Sequence, residues 1–262
     1  VQWPPSLETL NLEEGFCHSL MGVDFPSGLQ SLTVKGTVSV ALKGVNLPNG
    51  LQRLVLKPSG GHLQTLTDMI LPQRLKHLTF GFHYNQSLEE VTLPTSLNSL
   101  TFGHSFNQSL EGVTFPHALG KLVFGHDFNQ SLSNVQLPES LQSLTFGHNF
   151  NQSLEMTRFP KALQSLTLGH NFDQPLDVNL PDSLHVLTLG TRFNQPLQNV
   201  NFPSQLQTLT FGSCFDRSIE DVIFPSGLRS LTFGHQFAQS LRPLNIPNLR
   251  FLRCQGISVD CN

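Results

Sequence analysis

The sequence holds 262 residues, 13% of them charged, with a formal net charge of −3. That balance offers no basic surface for nucleic acid and no acidic run that would act as a solvating tail. No stretch of ~18 apolar residues is present, which excludes a membrane-spanning helix.

Prolines set the frame. Pro4, Pro26 and Pro48 are 22 residues apart, and Pro72 follows after 24. Pro94, Pro116, Pro138 and Pro160 return at 22, Pro181 comes after 21, and Pro203, Pro225 and Pro247 again at 22. A fixed period in the range of ~20–50 residues marks a solenoid or a similar array. About eleven repeats are expected, filling one repeat domain over residues 1–262.

Residues 1–25 read as a worn first repeat. Residues 26–71 are irregular: Lys35-Gly36-Thr37-Val38-Ser39-Val40-Ala41-Leu42 departs from the regular block, and Lys57-Pro58-Ser59-Gly60-Gly61-His62 precedes two extra residues. This stretch is either a degenerate region or a bump that meets a partner, since insertions in repeats map to loops on one face. Regular repeats run through 72–246. In the repeat from Pro138 the apolar anchors are Leu141, Leu144, Phe146, Phe150, Leu154 and Phe159. The run Leu144-Thr145-Phe146-Gly147 alternates with period two, so it predicts a short strand with Leu and Phe inward, Thr and Gly outward. Asn151 and Gln152 follow Phe150, where polar side chains satisfy turn backbone. Pro160 stops any helix from passing. Residues 247–262 lose the Phe-Asn-Gln block and are expected to cap the array, covering its last core layer.

One strand and one turn-rich return cannot bury their own apolar side, but stacked neighbours can. Strands would then lie in parallel at ~4.8 Å. Six anchors per repeat, each contributing ~1.5–3 kcal/mol on burial, supply the driving force. The expected fold is mainly β, a parallel β-solenoid with little α-helix.

The repeat resembles the leucine-rich repeat, and more closely the FNIP repeat. The segments that carry the resemblance begin at Phe106-Asn107-Gln108, Phe128-Asn129-Gln130, Phe150-Asn151-Gln152 and Phe193-Asn194-Gln195, with looser copies at Phe172-Asp173, Phe215-Asp216 and Phe237-Ala238. The resemblance implies a curved solenoid of leucine-rich-repeat type, with 72–246 as its FNIP-like core. It also implies an interaction module, since such repeats bind proteins and some are fused to F-box segments; no F-box occurs in this sequence.

Equivalent positions stack into columns. Asn85, Asn107, Asn129 and Asn151 are expected to hydrogen-bond between turns. Each also heads an Asn-Gln-Ser sequon, and glycans on packed amides would oppose stacking, so an intracellular and cytoplasmic protein is expected. His104, His126, His148 and His170 form a second column. Metal binding is not expected there, because no nearby column supplies carboxylates and stacked residues do not converge. Cys254 and Cys261 are close enough in sequence for a C-terminal clip, though reduced thiols are the favoured state.

The outward strand row carries Thr101, Thr145, Thr167, Thr210 and Thr232, followed by glycines. Three readings apply: good exposed strand residues, a partner-binding face, or a hydroxyl lattice for ice or polysaccharide. No catalytic arrangement, phosphate loop or cofactor motif is present. The expected function is a non-catalytic protein-binding scaffold whose strand face holds those threonines with His104, His126, His148 and His170 at its rim. The alternative is a spacer within a larger complex, or a binder of ice or polysaccharide.

Overall fold

Proline has no N–H to give, so it suits the start of a turn in which only its carbonyl is used. The computed structural model of the chain describes residues 3–16, 18, 20–35, 44–57, 66, 69–242, 244–254 and 257–260. In it the leucine three residues after the proline closes a β-turn: Leu97 donates to the Pro94 carbonyl, Leu119 to Pro116, Leu141 to Pro138 and Leu206 to Pro203, each at 3.0 Å. Two residues later a strand begins. No α-helix occurs among the described residues, and none of their helices is long and apolar enough to cross a membrane.

The chain forms two compact units, Val1–Phe128 and Asn129–Asn262. The first carries β1 (Thr9–Leu12), β2 (Ser31–Val34), β3 (Arg53–Leu56), β4 (His77–Phe80), β5 (Ser99–Thr101) and β6 (Lys121–Val123). Each pairs in parallel with the next, so Leu10, Leu32, Leu54, Leu78, Leu100 and Leu122 share one register. From Leu32 onward these leucines are buried. The irregular region thus keeps its strands, while its divergent blocks at 36–43 and 58–65 lie outside the described residues.

The second unit carries β7 (Ser143–Thr145), β8 (Ser165–Thr167), β9 (Val186–Thr188), β10 (Thr208–Thr210), β11 (Ser230–Thr232), β12 (Phe251–Cys254) and β13 (Ile257–Asp260). β7 to β12 pair in parallel, with Leu144, Leu166, Leu187, Leu209, Leu231 and Leu252 aligned. β13 turns back and pairs antiparallel with β12, setting Leu252 opposite Val259. Each regular strand ends one residue before an inward phenylalanine or leucine, yet that residue keeps its ladder bond: Phe146 N–H donates to the Thr167 carbonyl at 2.9 Å, and Leu168 N–H to the Thr188 carbonyl at 2.8 Å. Cys214 and Cys254 are free thiols. Cys17 and Cys261 lie outside the described residues, and the proposed clip with them.

Behind the leucines the core is a double file of aromatic rings. Within a repeat, Phe146 stacks on Phe150 with ring centroids 3.8 Å apart, as Phe102 does on Phe106. Between repeats, Phe150 lies 6.0 Å from Phe172, and Phe172 lies 6.2 Å from Phe193. These rings are buried, Phe106, Phe150, Phe172 and Phe193 completely. Two slots refilled along the stack therefore account for most of the Phe excess over a single Trp and a single Tyr.

That Tyr occupies the same file. Tyr84 stacks on Phe80 at 3.9 Å, and its buried hydroxyl has no hydrogen-bond partner. A buried unsatisfied hydroxyl is destabilising, so Tyr84→Phe is expected to stabilise the protein by about 1 kcal/mol. Burial also pushes the Tyr84 phenol well above its ordinary pKa. A raised folded value favours the neutral form, so its contribution is intact below the ordinary tyrosine range of ~10 and is lost as pH rises through and beyond it. Thermal unfolding at pH ~7 and ~11 checks both points. The variant should unfold later at neutral pH and lose less stability in alkali. A lower midpoint for the variant at neutral pH would contradict this account of Tyr84.

Candidate functional site

Period-two strands send alternate side chains to opposite faces. In the second unit the outward threonines Thr145, Thr167, Thr188, Thr210 and Thr232 are Cα partners on adjacent strands, all half-exposed. Ser143 and Ser165 align beside them, with Val186 in the next strand. The row ends at Arg253, the partner of Thr232 on β12. Thr188 escapes the pattern of paired hydroxyls because its repeat carries Val186 where the others carry serine or threonine. In the first unit the same row is mixed: Thr33, Val55, Thr79, Thr101 and Val123. The uninterrupted hydroxyl face therefore belongs to the second unit, and Thr101 lies in the mixed row.

The glycines that follow the strands are not part of that outward face. A Cβ on Gly103, Gly125, Gly169 or Gly190 would sit 1.8, 1.7, 1.8 or 1.9 Å from the carbonyl oxygen of the preceding repeat's glycine. Main chain packs on main chain there, and no side chain fits between. This corrects the expectation that these glycines extend the strand row outward: the chain leaves the pleat at the inward phenylalanine, so alternation no longer applies to the next residue.

The asparagine column is a hydrogen-bond ladder. Asn85 Oδ1 accepts from the Asn107 N–H at 2.8 Å and from Gln108 Nε2 at 3.0 Å. In the second unit Asn129 Oδ1 accepts from Asn151 and Gln152, and Asn151 Oδ1 from Asp173 and Gln174. Asp173 and Asp216 do the same work with a carboxylate, toward Asn194 and Ala238. The column is structural: its side-chain oxygens tie each turn to the next.

The histidines stack ring on ring. His104 and His126 lie 4.3 Å apart and 5° from parallel, with half-exposed Phe82 stacked on the other face of His104 at 4.2 Å. In the second unit His148 and His170 lie 4.2 Å apart. The sequence expectation that no carboxylate reaches this column is wrong at one place. Asp127 Oδ1 is 2.7 Å from His126 Nδ1, and its Oδ2 is 3.3 Å from His104 Nδ1. The hydrogen bond with His126, aided by the charge of both imidazoles, holds the Asp127 carboxyl below its usual range. His104 Nδ1 is itself buried and its approach to Asp127 lacks hydrogen-bond geometry. Asp127 follows His126 directly, in a column that otherwise holds His83, Ser105, Asn149, Asn171, Arg192, Cys214 and Gln236. Reading by column hides such a single departure.

The FNIP Repeat family model matches residues 62–105, 106–149, 150–180, 172–214 and 215–252. Among solved structures the chain is similar to CroV588, described as a novel circular LRR protein, with 32% identity and a TM-score of 0.63. That likeness covers 96% of this chain and 43% of the other, so the chain spans less than half the length of that protein. YopM from Yersinia enterocolitica WA-314 is similar at 21% identity and a TM-score of 0.49, over 97% of this chain and 58% of its own. None of the curated proteins compared matches the chain.

Proposed function

The chain belongs to the FNIP repeat family, a parallel β-solenoid of leucine-rich-repeat type, and from that premise we propose that it is a non-catalytic scaffold whose strand face binds a protein partner. The observation that carries this reading is the row Thr145, Thr167, Thr188, Thr210 and Thr232, five registered half-exposed hydroxyls free of charge. Small side chains let a partner approach the sheet closely. Hydroxyls both donate and accept, so they suit many backbone and side-chain groups. Solenoids present such extended faces for binding. His148 and His170 are exposed and follow Thr145 and Thr167 by three residues, which supports reading them as the rim of the row; Thr101, His104 and His126 extend the reading into the first unit.

An intracellular setting is supported by the asparagine ladder. The Oδ1 atoms of Asn85, Asn129 and Asn151 are engaged between turns, and glycans on adjacent amides would oppose that packing.

The test is capture of partners by the full chain, with stoichiometry measured by quantitative mass spectrometry. The double variant Thr145→Arg/Thr210→Arg places two large cations in the row while leaving the core untouched. The proposal expects a stoichiometric partner to be lost with the thermal midpoint unchanged. A partner retained by this variant would sink the strand-face assignment. Binding of the isolated chain to ice or polysaccharide, with no protein partner, would move the function to surface recognition.

A further inference from the structure

We propose that His104, His126 and Asp127 form a binding site for a borderline divalent transition-metal cation of the zinc class. One ligand atom from each of the three residues lies within 4.8 Å of the others. Two imidazoles and one carboxylate are the donor types that zinc-class ions take, whereas calcium and magnesium require shells of oxygen. On a tetrahedral ion with bonds of ~2.1 Å, donor atoms sit ~3.4 Å apart. The 3.3 Å separation of His104 Nδ1 from Asp127 Oδ2 already matches that spacing. The 2.7 Å separation of His126 Nδ1 from Asp127 Oδ1 is that of a shared proton, which the ion would displace.

A second observation points the same way. His104 Nδ1 is buried 3.3 Å from Asp127 Oδ2 without hydrogen-bond geometry, so the pair is in contact but His104 Nδ1 keeps a coordination position that a ligand can take. The His104, His126 and Asp127 side chains remain 37%, 40% and 36% exposed, so the cluster borders solvent and an ion there keeps water in its open positions once a ring turn uncovers His104 Nδ1. Parallel rings direct their lone pairs in parallel, so both imidazoles cannot face one ion while stacked. Binding therefore turns at least one ring out of the 4.3 Å stack, and that movement is itself a readout.

The protein contains its own control. His148 and His170 stack in the same way, 4.2 Å apart and 7° from parallel. They are followed by Asn149 and Asn171, and the Asn171 amide donates to Asn149 Oδ1 at 3.1 Å. A neutral amide is a poor ligand for a zinc-class ion, so this pair lacks the anionic donor.

The experiment titrates the full chain with Zn²⁺ alone in a non-chelating buffer, by calorimetry and by nitrogen-15 spectra of the histidine rings. The expected result is a site whose filling shifts the His104 and His126 ring nitrogens. Asp127→Asn and His104→Ala should each weaken it by about tenfold or more, while His148→Ala/His170→Ala leaves it intact. Asn occupies the equivalent position in two later repeats, so Asp127→Asn is compatible with the fold, and its thermal midpoint verifies this. The proposal is overturned by absence of binding up to ~1 mM ion. It is equally overturned by binding that neither Asp127→Asn nor His104→Ala weakens, or by equal loss in the His148→Ala/His170→Ala variant.

Discussion

Gly169→Ala is expected to destabilise the array by about 3 kcal/mol or more, although it adds a single methyl group. The backbone of Gly169 adopts no conformation reserved for glycine, so the cost comes from space alone. The new Cβ would lie 1.8 Å from the Gly147 carbonyl oxygen and 3.0 Å from its carbonyl carbon. Neither atom belongs to a flexible side chain. Relief requires two turns to separate, and separation strains the flanking bonds, including the Asn171 N–H to the His148 carbonyl at 2.9 Å and the Ser165 N–H to the Gln142 carbonyl at 3.0 Å. At roughly 2–4 °C per kcal/mol for a chain of this size, the thermal midpoint should fall by about 6–12 °C. Gly15→Ala is the matched control, since nothing lies within 4 Å of a Cβ there, and it should change stability by less than ~0.5 kcal/mol. Equal tolerance of both substitutions would remove the close main-chain approach from this account.

Phe172→Ala should cost a similar amount for the opposite reason, about 3–5 kcal/mol from the lost transfer energy and the cavity left behind. The ring is fully buried, flanked by Phe150 at 6.0 Å and Phe193 at 6.2 Å. Its own repeat carries Leu168 where others carry the second phenylalanine of the pair, so no ring within the repeat can move into the space. Phe172→Leu should lose less, because part of the volume is kept. Denaturant unfolding followed by circular dichroism measures both. A loss below ~1 kcal/mol for the alanine variant would mean that the ring file contributes little to stability.

The spacing of the prolines carried most of the fold. From Pro26 to Pro225 each proline of the frame opens a turn whose fourth residue is a buried leucine, so the period of 22 translates directly into strand register. The phenylalanine bias was legible for the same reason, since a slot repeated along a stack is refilled by one residue type. Three features were not legible. The glycines looked like outward strand residues because alternation was extended one step beyond where the pleat ends. The antiparallel return of β13 has no signal in a parallel period. Asp127 does not recur along its column, so the repeat period carries no signal for it, whereas the chemistry of a site can rest on the one residue that departs.

The candidate binding row was legible as a pattern of threonines, but the sequence spread it over the whole array. Register narrows the unbroken part to β7–β11, because Val123 stands at the threonine position of β6 and Arg253 at that of β12. A partner that needs consecutive hydroxyls would engage the second unit.

The central claim is that residues one period apart are neighbours across a parallel ladder. Cysteine pairing tests it most directly, in a background with the four native cysteines replaced by serine. Thr145 and Thr167 are Cα partners on β7 and β8, and a strand spacing of ~4.8 Å lies within the Cα range a disulfide spans. Thr145 and Thr188 are two strands apart, at ~9.6 Å, beyond that range. Mild oxidation should therefore close a disulfide in Thr145→Cys/Thr167→Cys and leave Thr145→Cys/Thr188→Cys reduced. Both pairs closing at the same rate, or only the second pair closing, would contradict the stacked ladder.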